Sequence, residues 1–205
     1  MLISFQKLQN RFQVKPKGII HVGSNIGEEA EAYNRAGIKD VVWFEANPVI
    51  FEKLQVNLQK YPTHRAFNYC IGDEEGKEMT FHIANNNGQS SSLLQLGTHK
   101  RQHPEVSFIE DIQVTTRRLD ALDIDFTGID YLSADVQCAE MKVLRGMGDL
   151  LRQFKWLYLE VNRAQVYIDC PHVNDLDLFL NGFGFKRVFT ADWIGDWTDA
   201  LYIKR

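Results

Sequence analysis

The chain has 205 residues, room for one ordinary domain, and carries 23 Lys plus Arg against 27 Asp plus Glu for a formal charge of -4. Hydrophobic residues at 44%, charged residues at 24%, 14 Gly and 5 Pro exclude disordered, collagen-like and low-complexity chains. The acid excess removes the electrostatic footprint of a dedicated nucleic-acid binder.

Chain order shows a regular alternation. Leu2, Phe5, Leu8 and Phe12 fall at helical spacing. Gly18 to Val22 reads as a buried strand, Glu28 to Ala36 as a helix and Val41 to Glu45 as a second strand. A helix then starts at Pro48, with Asn47 as its N-cap and Ile50, Leu54 and Leu58 as its apolar stripe. Phe67 to Ile71 reads as the third strand. From about 74 to 118 the pattern breaks. Met79 to Ile83 and Ile112 to Thr116 are extended, and between them lies a polar stretch with three asparagines and three serines, read as an insertion with a mobile loop.

The alternation resumes with strand Tyr131 to Asp135, helix Ala139 to Leu151, strand Trp156 to Val161 and helix Val173 to Asn181. Phe185 to Phe189 and Ala200 to Lys204 leave no room for a crossover helix and must pair antiparallel. The expectation is one α/β domain over 1–205. Its core is a doubly wound, mostly parallel, seven-stranded Rossmann-like sheet with an antiparallel edge strand. No apolar run approaches the roughly 18 residues of a membrane span, and Met1 to Asn10 is too polar for a signal peptide. Cys70, Cys138 and Cys170 are an odd number with no Cys-x-x-Cys pair, which suggests neither a disulfide framework nor a zinc site. Reduced thiols and a cytoplasmic location follow as expectations.

Ligands of such sheets bind beyond the carboxyl ends of the strands. Strand one ends in His21, Val22, Gly23, Ser24, Asn25, Ile26 and Gly27, whose glycines let backbone approach a ligand or serve a tight turn. Glu45 at the end of strand two can accept both hydroxyls of a ribose. A nicotinamide dinucleotide would want Gly-x-Gly-x-x-Gly and a helix start free of acids. Asn25 takes the middle glycine position and Glu28 and Glu29 crowd the helix start, so a pyrophosphate is unwelcome. A cation with a ribose, an adenine and no phosphate fits, and S-adenosylmethionine is that ligand. The expected cofactor set is His21, Gly23, Ser24, Asn25 and Gly27 from the first turn, Glu45, Ala46 and Asn47 from the second, Ile71, Gly72 and Asp73 after strand three, and Asp135.

The segments IIHVGSNIGEEAEAY, VVWFEANP, CIGDEEG with the SSSL serines, VTTRRLDAL and IDYLSADVQCAEMKVLRGM together resemble the FkbM-type methyltransferases, class I S-adenosylmethionine-dependent enzymes, over nearly the whole chain. Family members commonly read Asp-Val-Glu-Gly-Ala-Glu where this chain has Asp135-Val136-Gln137-Cys138-Ala139-Glu140. Asp135 and Glu140 match while Gln137 and Cys138 depart, and His21 stands where the family usually has Asp. The resemblance implies O-methylation of a hydroxyl, often on a sugar or a polyketide. It also marks the serines, Ser91 among them, as a contact point for cofactor or substrate.

Methyl transfer to a hydroxyl needs alignment and a group to take the proton. Asp135 and Glu160, at the ends of strands four and five, are the catalytic candidates, against a helix N-cap for the first and a backbone-bonded structural carboxylate for the second. Asn162, Tyr167, Trp193 and Ser91 are the candidates for holding a small-molecule or glycan acceptor, the aromatics by stacking on sugar faces or else by packing on the core. His99 and His103 have metal-pair spacing without a third ligand, so no metal is expected.

Two other functions compete. A methyltransferase of nucleic acid or protein lacks support, since the only Asn-Pro is misplaced at Asn47-Pro48 and Cys170 precedes rather than follows Pro171. A non-catalytic S-adenosylmethionine-binding module is the other, raised by the substitutions at His21 and Cys138.

Overall fold

The computed structural model describes all residues, 1–205. Its main sheet is built by β1 (Gly18–Val22), β2 (Asp40–Phe44), β3 (His64–Phe67), β7 (Tyr131–Ala134), β8 (Trp156–Asn162), β9 (Phe185–Thr190) and β10 (Trp197–Lys204). The order across the sheet is β3-β2-β1-β7-β8-β10-β9. The first five strands are parallel, and β10 runs antiparallel to both β8 and β9. The reversed strand therefore sits one place in from the edge. The order reverses between β1 and β7, which is where a doubly wound sheet opens a crevice.

Each strand splits its side chains between two cores, because successive residues face opposite ways. Ile20, Val22, Val42, Phe44, Leu132, Ala134, Leu157 and Leu159 join a 24-residue cluster on one face. Ile19, Val41, Trp43, Tyr131, Tyr158 and Leu201 join a 16-residue cluster on the other. Helices cover both faces: α1 (Phe5–Phe12), α2 (Ala30–Arg35) and α3 (Pro48–Leu58) precede the insertion, and α5 (Glu140–Gly146) and α6 (Val173–Asn181) follow it. In α3 the Asn47 side chain accepts from the backbone N–H of Val49 and Ile50 at 3.0 and 3.3 Å, the expected cap.

Three sequence expectations change. Phe67 to Ile71 is not one strand. His64–Phe67 pairs with β2, whereas β4 (Cys70–Ile71) turns away to pair with β6 (Phe108–Arg117) in a second, three-stranded sheet ordered β4-β6-β5, with β5 at Glu78–Ala84. The break falls at Asn68, whose side chain donates to the carbonyls of Glu45 and Ala46. The helix expected over Ala139 to Leu151 ends at Gly146, and the chain continues as a 3-10 turn over Gly148–Gln153. The cysteines are corrected as well: Cys138 and Cys170 form a disulfide, leaving Cys70 as the free thiol, buried. They follow neighbouring parallel strands β7 and β8, so the loops that carry them meet at one end of the sheet, which a separation of 32 residues conceals.

The inserted polar stretch folds over the same end. Ser90, Ser91 and Ser92 are buried, and the short helix α4 (His99–Gln102) follows them. No helix is long and apolar enough to cross a membrane.

Candidate active site

A cavity of about 810 Å³ opens beyond the carboxyl ends of β1, β2, β7 and β8, under the segment that carries the serines, within the usual size of a small-molecule site. Its first wall is the turn after β1. Gly23 has φ +74°, and a Cβ there would lie 1.8 Å from the Asp135 carbonyl oxygen, so only glycine lets this turn pack on the β7 turn. Ser24 is buried and its hydroxyl donates to backbone carbonyls of His21 and Phe44.

Glu45, 7% exposed, accepts from the backbone N–H of Asn25 through Oε2 and of Asn47 through Oε1, both at 2.8 Å. Burial nevertheless raises its pKa above the ordinary carboxylate value. Each oxygen keeps a second lone pair for a ligand hydroxyl. His21 lines the cavity stacked on Trp43, with Nδ1 3.2 Å from the Tyr33 hydroxyl. Burial lowers its pKa, which keeps the imidazole neutral at neutral pH.

The opposite wall is the turn after β7. Asp135 is exposed to the cavity and does not cap α5, whose N-cap position, Ala139, makes no side-chain cap; Glu140 in the first turn reaches back instead, its Oε1 accepting from the Val136 N–H of the β7 turn at 2.9 Å. The Gln137 amide nitrogen donates to Asp135 Oδ1 at 2.7 Å and to Glu160 Oε2 at 2.9 Å. The Tyr167 hydroxyl lies 2.9 Å from both Gln137 Oε1 and the Ser90 carbonyl, and Ser92 donates to the Gln137 carbonyl at 2.8 Å. Gln137 thus fixes two carboxylates from two strands relative to each other.

Burial, with Asp135 and Glu140 beside it, pushes the Glu160 carboxyl well above the usual range, and burial pushes Glu140 up to about 8. Asp199 from β10 is also raised, chiefly by burial, while accepting from the Tyr158 hydroxyl and the Leu2 N–H. Oxygens of Asp135, Glu140 and Glu160 lie within 4.8 Å of one another, close enough to hold a cation. Gln137 already bridges Asp135 and Glu160, and the Val136 N–H occupies Glu140.

Of the expected cofactor set, His21, Gly23, Ser24, Asn25, Glu45, Ala46, Ile71 and Asp135 line the cavity. Gly27, Asn47 and Gly72 stand behind the wall, and Asp73 is turned to Lys142 at 3.4 Å. Both catalytic candidates line it. Of the acceptor candidates only Ser91 does, with its hydroxyl bonded to the Ala84 N–H. Tyr167 is one layer back, Asn162 is buried off the cavity with Oδ1 unpartnered, and Trp193 lies under the Arg163 guanidinium at 5.0 Å. The sequence gives no site role to Gln137 or His99, both of which line the cavity. The departure of Gln137 from the family pattern was its signal, and for His99 it was a partner four residues on.

Residues 21–187 match the methyltransferase FkbM domain. The chain belongs to that family. A curated protein of similar sequence is the 2-O-methyltransferase NoeI of Sinorhizobium fredii, 28% identical over 158 residues, which are 73% of this chain and 65% of that protein. The FkbM-domain chain therefore spans just under two thirds of that relative's length. Among solved structures it is similar to the magnesium protoporphyrin IX methyltransferase ChlM of Synechocystis with bound S-adenosylmethionine. There the TM-score is 0.54 at 11% identity, over 98% of this chain and 76% of the other. It is similar too to M. capricolum TrmK with S-adenosylhomocysteine, with TM-score 0.52 at 10% identity over 100% of this chain and 70% of that one. At these identities the FkbM-domain chain shares their fold.

Proposed function

We propose that the chain is an S-adenosylmethionine-dependent O-methyltransferase acting on a hydroxyl of a sugar, a glycan or a related small polyol. The observation that carries this reading is that Glu45, Asp135 and Glu160, from the ends of three parallel strands, line one cavity. Oxygen as the acceptor atom is supported by the name of the relative, a 2-O-methyltransferase.

The residues present fit the cofactor. Glu45 keeps lone pairs for two ribose hydroxyls, Phe44 and Ile71 offer an apolar surface beside it, and the carboxylate-rich wall suits a cation. The acids Glu28 and Glu29, both on the cavity, disfavour a pyrophosphate at the start of α2. When bound, S-adenosylmethionine supplies an electrophilic methyl group on a sulfonium centre.

The chain's own residues then align the acceptor and move its proton. Asp135, open to the cavity, takes the proton of the acceptor hydroxyl. Glu160, its carboxyl held protonated by burial, and Gln137 hold Asp135 in one orientation. Asp135→Asn, nearly isosteric, keeps the fold and most cofactor affinity and slows methyl transfer by roughly 10²- to 10⁴-fold, the range of general-base loss. Glu45→Ala weakens S-adenosylhomocysteine by roughly 1.5 to 3 kcal/mol in calorimetry, the worth of hydrogen bonds to a charged group. Glu45→Gln, which can still accept from one backbone N–H, separates that loss from a loosened turn. Unchanged affinity in both Glu45 variants removes the ribose assignment, and full activity of Asp135→Asn removes the base.

A further inference from the structure

The cavity extends past Asp135 and Glu160 into an alcove under the inserted segment, lined by Asn85, Asn86, Ser90, His99 and His103. His99 and His103 are four residues apart and both line the cavity, their rings 5.0 Å apart, while Lys100 and Arg101 between them are exposed and off the wall. His99 is 5% exposed. Its Nε2 lies 3.2 Å from the Ser90 hydroxyl, and its Nδ1 is buried with no partner in the protein. A buried imidazole nitrogen left unpaired costs free energy unless a ligand or water meets it.

Charge gives the alcove a second property. Seven acidic side chains, Glu28, Glu29 and Glu105 among them, line the cavity, and no lysine or arginine does. The nearby guanidinium groups are spent elsewhere, Arg117 on Glu75 and Arg118 on Asp120. An anionic group entering this cavity would be desolvated beside like charges, and the cation on its wall, the Met1 ammonium, is already paired with Glu29 at 3.3 Å.

Resting on the methyltransferase reading above, we propose that the alcove is the acceptor subsite. It takes a polyhydroxylated acceptor that is uncharged or amino-bearing, it rejects phosphorylated ones, and His99 Nδ1 bonds a hydroxyl of that acceptor. Neutral imidazole can give or take a hydrogen bond at that atom, and burial favours the neutral ring by lowering its pKa. Asn85, Asn86 and Ser90 add amide and hydroxyl groups at the same end, the kind of polar set that reads a polyol.

The test uses the full chain with labelled S-adenosylmethionine and a panel of acceptors. The panel holds methyl glycosides of glucose, galactose and mannose, then glucosamine, then the phosphate monoesters of the same hexoses. Transfer to neutral or amino members and none to the phosphates supports the assignment, and transfer to a phosphate with equal kcat/KM overturns it. Transfer to no member, with S-adenosylhomocysteine still bound, overturns the subsite and leaves the cofactor reading standing. Loss of cofactor binding as well overturns the reading on which the subsite rests. With the acceptor so found, His99→Ala raises its KM about tenfold, the worth of one hydrogen bond, with kcat and S-adenosylhomocysteine affinity unchanged. His99→Gln, which can still donate and accept, recovers part of that loss and keeps the test alive if the alanine variant folds poorly. An unchanged KM in both variants removes His99 from the subsite.

Discussion

Two turns, one after β1 and one after β7, face each other across the top of the sheet, and both need backbone in the left-handed region. The β1 turn meets the need mainly with glycine, Gly23 at φ +74° and Gly27 at +77°, with Asn25 between them at +45° held by its N–H to Glu45. The β7 turn meets it with side chains: Gln137 has φ +53° and Cys138 has φ +73°. That conformation costs a non-glycine residue of order 1 kcal/mol and persists where surroundings over-determine it. Here they do, because Cys138 is bonded to Cys170, Gln137 holds Asp135 and Glu160, and Ser92 holds the Gln137 carbonyl. A glycine turn is permissive and must be filled by a ligand or packed by its neighbour. A turn fastened by side chains holds the acidic groups it carries in place without a ligand.

The sharpest way to break the comparison is to put a side chain where the first turn has none. Gly23→Ala drives a Cβ into the Asp135 carbonyl at 1.8 Å and adds a positive-φ penalty, so both turns must move. We expect a loss of about 3–5 kcal/mol in urea unfolding, the range of severe single substitutions, together with loss of S-adenosylhomocysteine binding in calorimetry. Near-native stability with intact binding would mean that the two turns do not press on each other.

The second turn breaks at its fastening. Closing a loop across 32 residues of separation is worth about 3–4 kcal/mol through the entropy of the unfolded chain. Cys138→Ala with Cys170→Ser forfeits that and keeps the backbone penalty. Cys138→Gly with Cys170→Ser forfeits the link but relieves the penalty, so it should be more stable than the alanine pair by about 1 kcal/mol. Thiol titration of the unfolded, unreduced chain should find one free group, Cys70. Equal stability of the two double variants would show that position 138 carries no backbone cost.

What the sequence discloses follows the same division. β1, β2 and the Asn47 cap of α3 are legible because apolar runs, Pro48 and the cap are local signals, and Gly23 with Glu45 announces a ligand turn for the same reason. The β7 turn is held by residues distant in sequence, so its disulfide and its Gln137 bridge leave no mark of spacing. That Asp135 and Glu160 reach the cavity is legible because strand ends are predictable. Trp193 and Asn162 are misplaced relative to the cavity, because nearness to a strand end does not say whether a side chain faces the crevice or the core. His99 escapes because which face of a four-residue helix points inward is decided by the insertion packed on it.

The smallest expected effect concerns Glu140, the carboxylate that ties the β7 turn to α5 through the Val136 N–H. It is 1% exposed, and burial raises its pKa to about 8. An unfolded glutamate ionises near pH 4.3. Between that pH and about 8 the folded chain binds a proton here that the unfolded chain has released, so the group favours folding less as pH rises through this window. Below pH 4.3 both states are protonated and the effect is gone. Glu140→Gln keeps an oxygen for the Val136 N–H and has no charge to bury. It should unfold at higher urea than wild type at pH 8, by about 1–3 kcal/mol, and match wild type near pH 4. A variant less stable than wild type at pH 8 would show that the ionised carboxylate holds the β7 turn through its charge. The fastening of that turn would then be electrostatic where the turn after β1 relies on close packing.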